Sequence, residues 1–169
     1  MKDGPADPPE RPEARATADG TPIGGWAIRV DRGAFDVGPM LEAFGQIFRH
    51  PIPPGDRVQQ LAPGQPCFWY EQDRSKVIGI WGVGEVVGPA FAAPVDAEDA
   101  SAGEQILAEV EIYPLAKPIP MAKLAALPPF ADSELVTAPG RDNPIVLRPR
   151  EVRAIEEFDF TIVPPSDDG

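Results

Sequence analysis

The feature that most constrains this chain is the stretch from Gly64 to Gly88, GQPCFWYEQDRSKVIGIWGVGEVVG. Two β-rich runs flank a polar turn, Asp73-Arg74-Ser75-Lys76, so the stretch reads as one antiparallel hairpin. The first run carries Phe68-Trp69-Tyr70 and the second carries Trp81, which puts two of the chain's three tryptophans on it. The second run also carries Gly79, Gly82 and Gly84. A strand gains nothing from glycine unless a bulge or a close neighbour requires it. Aromatic bulk beside bare backbone can form a slot for something flat, and it is equally how strands fill an ordinary core. Alternation sends Cys67, Trp69 and Glu71 to one face and Phe68 and Tyr70 to the other. In the second run Ile78, Ile80, Gly82 and Gly84 share a face, opposite Val77, Gly79, Trp81 and Val83. A bulge at any of these glycines would reset that register, so which ring lies beside Trp81 stays open at this level.

A length of 169 residues suits one domain with one core. The formal net charge of -12 disfavours a protein that holds nucleic acid chiefly by neutralising phosphates. It leaves room for one that reads a single nucleotide in a pocket, because net charge averages over surfaces with different tasks. The single cysteine, Cys67, and single histidine, His50, exclude an internal disulfide and the usual Cys/His zinc sites. Cys67 lies in an apolar run and reads as a buried structural thiol. Nothing in Arg49-His50-Pro51 orients the imidazole as a base, so no catalytic residue, metal or cofactor is expected. No apolar run approaches a membrane span, and the acidic, Pro-rich opening segment has no hydrophobic core for a secretory leader. A soluble, cytoplasmic protein without membrane attachment is expected.

Three regions follow from composition: an acidic, Pro-rich tail expected to be disordered over residues 1–22, a single domain over 23–163 and a frayed acidic tail over 164–169. Trp26-Ala27-Ile28-Arg29-Val30-Asp31 alternates as a strand with Trp26, Ile28 and Val30 inward. Met40, Leu41, Phe44, Ile47 and Phe48 predict an amphipathic helix, followed by a rigid turn from His50 to Asp56. Residues 57–61 read as either a short strand or a helical turn. Beyond the hairpin, Ala92 to Glu104 reads as an acidic loop, and Ile106 to Tyr113 as a strand with Glu109 and Glu111 outward. Short helices are predicted after Pro120 and Pro149, with an extended run at Ile145-Val146-Leu147 between them. No βαβ rhythm and no Gly-rich phosphate loop is present. The fold class expected is α+β: a small, partly closed, mostly antiparallel β-barrel of about five or six strands with peripheral short helices.

Gly79-Ile80-Trp81-Gly82-Val83-Gly84-Glu85-Val86-Val87 resembles the glycine- and valine-rich strand of EVE domains, members of the PUA-like group that also holds the YTH and ASCH domains. Other features fall in the family's order: the Trp26 to Asp31 strand before it, the Gly64 to Tyr70 strand leading into it, and the Glu109 to Tyr113 strand and Asn-Pro-Ile-Val-Leu-x-Pro-x-Glu segment (Asn143 to Glu151) after it. The resemblance covers about Gly24 to Ile162. It implies a PUA-like barrel with an aromatic-walled pocket and a role in nucleic-acid binding through modified-base recognition. It implies DNA or RNA carrying a modified base as partner, with any effector supplied by a separate protein.

The pocket residues that follow are Trp81, Trp69 and Tyr70 as aromatic walls, and Arg29, Asp31 and Asn143 as polar readers. Arg74, Lys76 and Arg150 are the candidate phosphate contacts. Each has a plainer reading: the rings as core, Arg29 and Asp31 as a solvated strand face, Asn143 as a turn residue, and the basic groups as solvated surface. A protein-interaction module with an acidic surface and a small hydrolase using Glu85 or Asp31 as base are the competing functions.

Overall fold

The structure, a computed structural model, describes residues 16–17, 20–31, 35–72, 77–137, 143–158 and 161–162. Six strands form one mixed sheet. They are β1 (Gly25–Arg29), β2 (Ile47–Ile52), β3 (Pro66–Glu71), β4 (Gly79–Pro94), β5 (Glu104–Pro120) and β6 (Ile145–Leu147). Their order is β2-β5-β4-β3-β1-β6. All neighbours pair antiparallel except β1 and β3, which run parallel with Trp26 opposite Cys67 and Arg29 opposite Tyr70. The intervening chain forms the helix α1 (Gly38–Phe44), β2 and a 3-10 turn over Asp56–Gln60.

Each face of the sheet buries its own core. One face gathers Trp26, Ile28, Val30, Ile47, Ile52, Cys67, Trp69, Val86, Ala108, Val110 and Ile112. The other packs Ala27, Phe68, Tyr70, Ile80, Val83, Ile145 and Leu147 against three short helices, α2 (Met121–Ala125), α3 (Glu134–Thr137) and α4 (Pro149–Glu156). The first face receives little cover from outside the sheet, chiefly Val37, Met40 and Leu41 of the α1 segment and Val58 and Leu61 of the 3-10 turn and its exit. The strands therefore bury one another, which requires the sheet to twist and curl. Pairing joins no residue of β2 to β6 among those described, so the sheet is curled but open, and the expected barrel is not closed.

Gly45 and Pro51 explain two of the other departures. The helix expected through Phe48 stops at Phe44, because Gly45 adopts the left-handed conformation (φ 70°) and its N–H caps Leu41 O. The following His50-Pro51-Ile52 run is strand, not turn. Pro51 is tolerated there because β2 is an edge strand. The predicted acidic loop from Ala92 is short. β4 continues to Pro94 and β5 starts at Glu104, with Ala92 opposite Ile106 and Pro94 opposite Glu104. Inside the stretch expected to lack structure, Ala16 and Pro22 form an isolated bridge. Among the described residues no helix is long and apolar enough to cross a membrane.

Candidate functional site

The hairpin of β3 and β4 carries its own irregularity. Trp69 lies opposite Gly82 and Tyr70 opposite Ile80, so Trp81 is the extra residue of a β-bulge. The bulge resets the side-chain alternation of β4. Ile80 and Val83 both enter the helix-covered core, whereas Trp81 packs against the other one. Gly82 is what lets the arrangement close. A Cβ there would lie 2.9 Å from Trp69 Cε3, Ile112 Cγ2 and the Tyr113 carbonyl oxygen. The space a side chain would take is occupied by the Trp69 ring. Trp81 leans on that ring, with centroids 6.5 Å apart and planes tilted by 34°. Its Nε1–H donates to Val77 O at 2.8 Å, which fixes the indole's rotation. Trp69 is 1% exposed, while Trp81 is only partly buried. One tryptophan is a foundation and the other a surface-facing plate.

The sheet divides the remaining expected pocket residues between its faces. Tyr70, also 1% exposed, packs with Phe68 into the helix-covered core, away from Trp69. Arg29 lies on that same face by alternation with Ala27. Its guanidinium charge opposes the burial that pushes the Tyr70 phenol above its ordinary value. Tyr70 is therefore core and not a second wall beside Trp81. Asn143 is committed to the backbone: its Oδ1 accepts from Arg29 N at 3.0 Å and its Nδ2–H donates to Arg29 O at 3.1 Å. This reciprocal pair continues the β1–β6 ladder beyond Ala27 opposite Ile145, and it makes Asn143 a clamp on β1.

Asp31 follows β1, and its charge opposes the lowering of the His50 imidazole on β2, four places away in the strand order. Phe35 meets the His50 ring edge-on, at 5.2 Å and 78°. His50 Nδ1–H donates to Pro51 O at 2.8 Å, and Nε2 has no hydrogen-bond partner among the described residues. Burial pulls this imidazole down to about 4, with the Pro51 bond and the Asp31 charge opposing the shift, so the ring is neutral at pH 7. The sequence reading assigned His50 to a turn and missed its place here. Glu71 was also passed over. It is 2% exposed at the end of β3, on the face that alternation gives to Trp69, and that alternation was the available signal. Cys67 is fully buried in the same core, and desolvation holds its thiol well above the ordinary range.

The expected phosphate contacts fare differently. Arg74 and Lys76 lie outside the described residues. Arg150 lies 3.3 Å from Asp132, on a surface that Asp132 shares with Arg148. Arg148 donates through Nη2 to Asp132 Oδ1 (2.7 Å) and through Nε to the buried Glu151 (2.7 Å), tying α4 to the loop before α3. Among the described residues no cluster of His, Cys, Asp and Glu is arranged to hold a metal ion.

No family model matches the sequence, and no curated protein does. The fold is similar to several solved structures. A protein from Pseudomonas putida aligns over 78% of this chain and 96% of its own, with TM-score 0.56 and 17% identity. A hypothetical protein from Leishmania major aligns over 79% of this chain and 92% of its own, with TM-score 0.58 and 14% identity. One from Rhodopseudomonas palustris aligns over 79% and 90%, with TM-score 0.52 and 20% identity. At these identities the likeness establishes a shared α+β fold.

Proposed function

We propose that this chain is a non-catalytic reader of nucleic acid, which takes one base, preferentially a modified one, onto Trp81. The observation that carries the reading is the bulge: it turns a tryptophan out of the ladder, pins its Nε1–H to Val77, and backs its ring with buried Trp69. A partly exposed, rigidly held indole is a stacking platform. The order of sequence features from Gly24 to Ile162, which resembles EVE domains, supports the same reading, and the curled sheet is interpreted as a PUA-like one.

The energetics favour an already accessible base. Stacking on an aromatic ring returns about 1–3 kcal/mol per base. Extrusion from a duplex costs a few kcal/mol and much less from a single strand. One ring therefore suffices for single-stranded nucleic acid and only about breaks even on a duplex. Burial of an added methyl contributes on the order of 1 kcal/mol, a modest preference for a modified base. The chain's single cysteine and single histidine are both withdrawn from surface chemistry. Cys67 is buried as a thiol, and His50 is buried with Nδ1 engaged.

Titration of fluorescein-labelled single strands carrying cytosine or 5-methylcytosine at low salt tests the reading. Binding with a preference for one of the pair, lost in Trp81→Ala, is expected. Binding that survives Trp81→Ala unchanged would remove the platform from the account.

A further inference from the structure

The helices leave one end of the sheet open. Along β5, Ala108, Val110 and Ile112 enter the core that Trp81 packs against, so alternation turns Glu109 and Glu111 to the opposite face. There they line a cleft of about 380 Å³, with Phe48 and Arg49 of β2 on one side and Val87 and Phe91 of β4 on the other. β5 lies between β2 and β4 in the sheet, so the two carboxylates stand between the two walls. Val87 and Phe91 are 38% and 39% exposed. Phe44, the last residue of α1, stands beside the cleft at 59% exposure and meets the Phe48 ring edge-on, at 5.2 Å and 84°. Among the described residues six large hydrophobic side chains are exposed, and half of them are on this one face, which makes it a patch and not a scatter.

The charges of the patch are uncommitted. Arg49 lies opposite Glu109 in the β2–β5 register, yet among the described residues neither takes part in an ion pair. The Arg49 guanidinium lies 5.2 Å from the centre of the Phe48 ring. The Glu109 carboxylate lies over the bare backbone of Gly88, where a side chain on β4 would collide with it. Glu111 accepts from the Tyr113 phenol. By contrast, Arg57 is bound to Glu134, and Arg148 and Arg150 share Asp132. With one cation and two carboxylates, the lining is close to neutral in a chain of net charge -12. Two such acidic chains can meet here with little repulsion. The face also carries both halves of each contact: a projecting phenylalanine beside an apolar-walled cleft, and a free guanidinium beside a free carboxylate. A surface complementary to itself is what a two-fold interface requires.

We propose that this face joins two copies of the chain in an isologous dimer, with Phe44 of each copy seated in the other's cleft and Arg49 of each paired with the other's Glu109. The interface lies on the sheet face away from the core that Trp81 packs against. It does not depend on the base-reader reading above.

Sedimentation-velocity ultracentrifugation across a concentration series tests it, on wild type, Phe44→Ser, Arg49→Glu, Glu109→Arg and the Arg49→Glu/Glu109→Arg double variant. All three positions are exposed, so the variants should keep the wild-type circular dichroism spectrum. Wild type should sediment as a dimer at micromolar concentration. Phe44→Ser should raise the dimer dissociation constant about tenfold or more, as expected for truncating an aromatic anchor. Each single charge reversal sets like charges against one another and should give monomers. The double variant, and an equimolar mixture of the two single reversals, place opposite charges at both contacts again and should restore the dimer. A wild type that stays monomeric would overturn the interface. A dimer indifferent to Phe44→Ser or to the single reversals would be formed by another surface and would overturn it equally. So would dissociation that neither mixing nor the double variant reverses.

Discussion

Gly82→Ala is the sharpest test of how the fold makes the site. The new methyl would sit 2.9 Å from Trp69 Cε3, Ile112 Cγ2 and Tyr113 O. Carbon atoms in contact prefer about 3.5–4.0 Å, so something must move by roughly half an ångström to one ångström. Ile112 and Trp69 are each 1% exposed and are packed in the same core. The Tyr113 carbonyl belongs to the adjacent strand, with Tyr113 opposite Val83. Overpacking of this kind costs about 1–3 kcal/mol, and the lower backbone entropy of alanine returns about 0.5–1. A net loss of about 1–2 kcal/mol is expected. At ~2–4 °C per kcal/mol for a domain of this size, Tm should fall by about 2–8 °C. Displacement of Trp69 should also change its coupling to Trp81, now 6.5 Å away, and hence the near-ultraviolet circular dichroism. Thermal unfolding and the near-ultraviolet spectrum are the assays. A variant as stable as wild type with an unchanged spectrum would refute the claim that bare backbone at residue 82 exists to seat the Trp69 ring.

Two further outcomes follow from the same geometry. Asn143→Ala removes two hydrogen bonds to the Arg29 backbone and should cost about 2 kcal/mol at ~1 kcal/mol each, measured by urea unfolding; a stability-neutral variant would return Asn143 to the list of base readers. His50 has a folded-state value of about 4 against an ordinary 6.5, so the folded protein refuses a proton that the unfolded chain accepts. Its contribution is complete above about pH 6.5 and is lost as pH falls towards 4, by up to about 3 kcal/mol. The unfolding free energy of His50→Asn should therefore fall less steeply over that interval than wild type, and parallel curves would contradict a buried neutral imidazole.

Much of the fold was legible because its strands alternate cleanly. Trp26, Ile28 and Val30 are buried together, as are Ala108, Val110 and Ile112, while Glu109 is exposed. The split of Cys67 and Trp69 from Phe68 and Tyr70 was also readable, and it is what separates Tyr70 from Trp81. Prolines concealed the rest. Pro51 and Pro94 read as turn and loop residues, yet both lie within strands, one in an edge strand and the other at a strand end. Strand order is a property of the whole sheet, so no local pattern could show that β2 pairs with β5 rather than with its sequence neighbour β1. The site residues were partly visible for the same reason. Trp81 stood out beside its glycines, whereas the bulge that turns it out of the ladder shows only in the pairing of β3 with β4.

The central claim is that Trp81 is a binding plate and Trp69 its structural support. Paired measurement of oligonucleotide affinity and Tm on Trp81→Ala and Trp69→Ala tests it most directly. Trp81→Ala should lose binding to single strands carrying 5-methylcytosine while retaining Tm within a few degrees, since the ring is only partly buried. Trp69→Ala should lose about 3–5 kcal/mol of stability, as expected for deleting a fully buried indole. Retained affinity in Trp81→Ala, or a loss of stability as large as that of Trp69→Ala, would show that Trp81 is core and contradict the account.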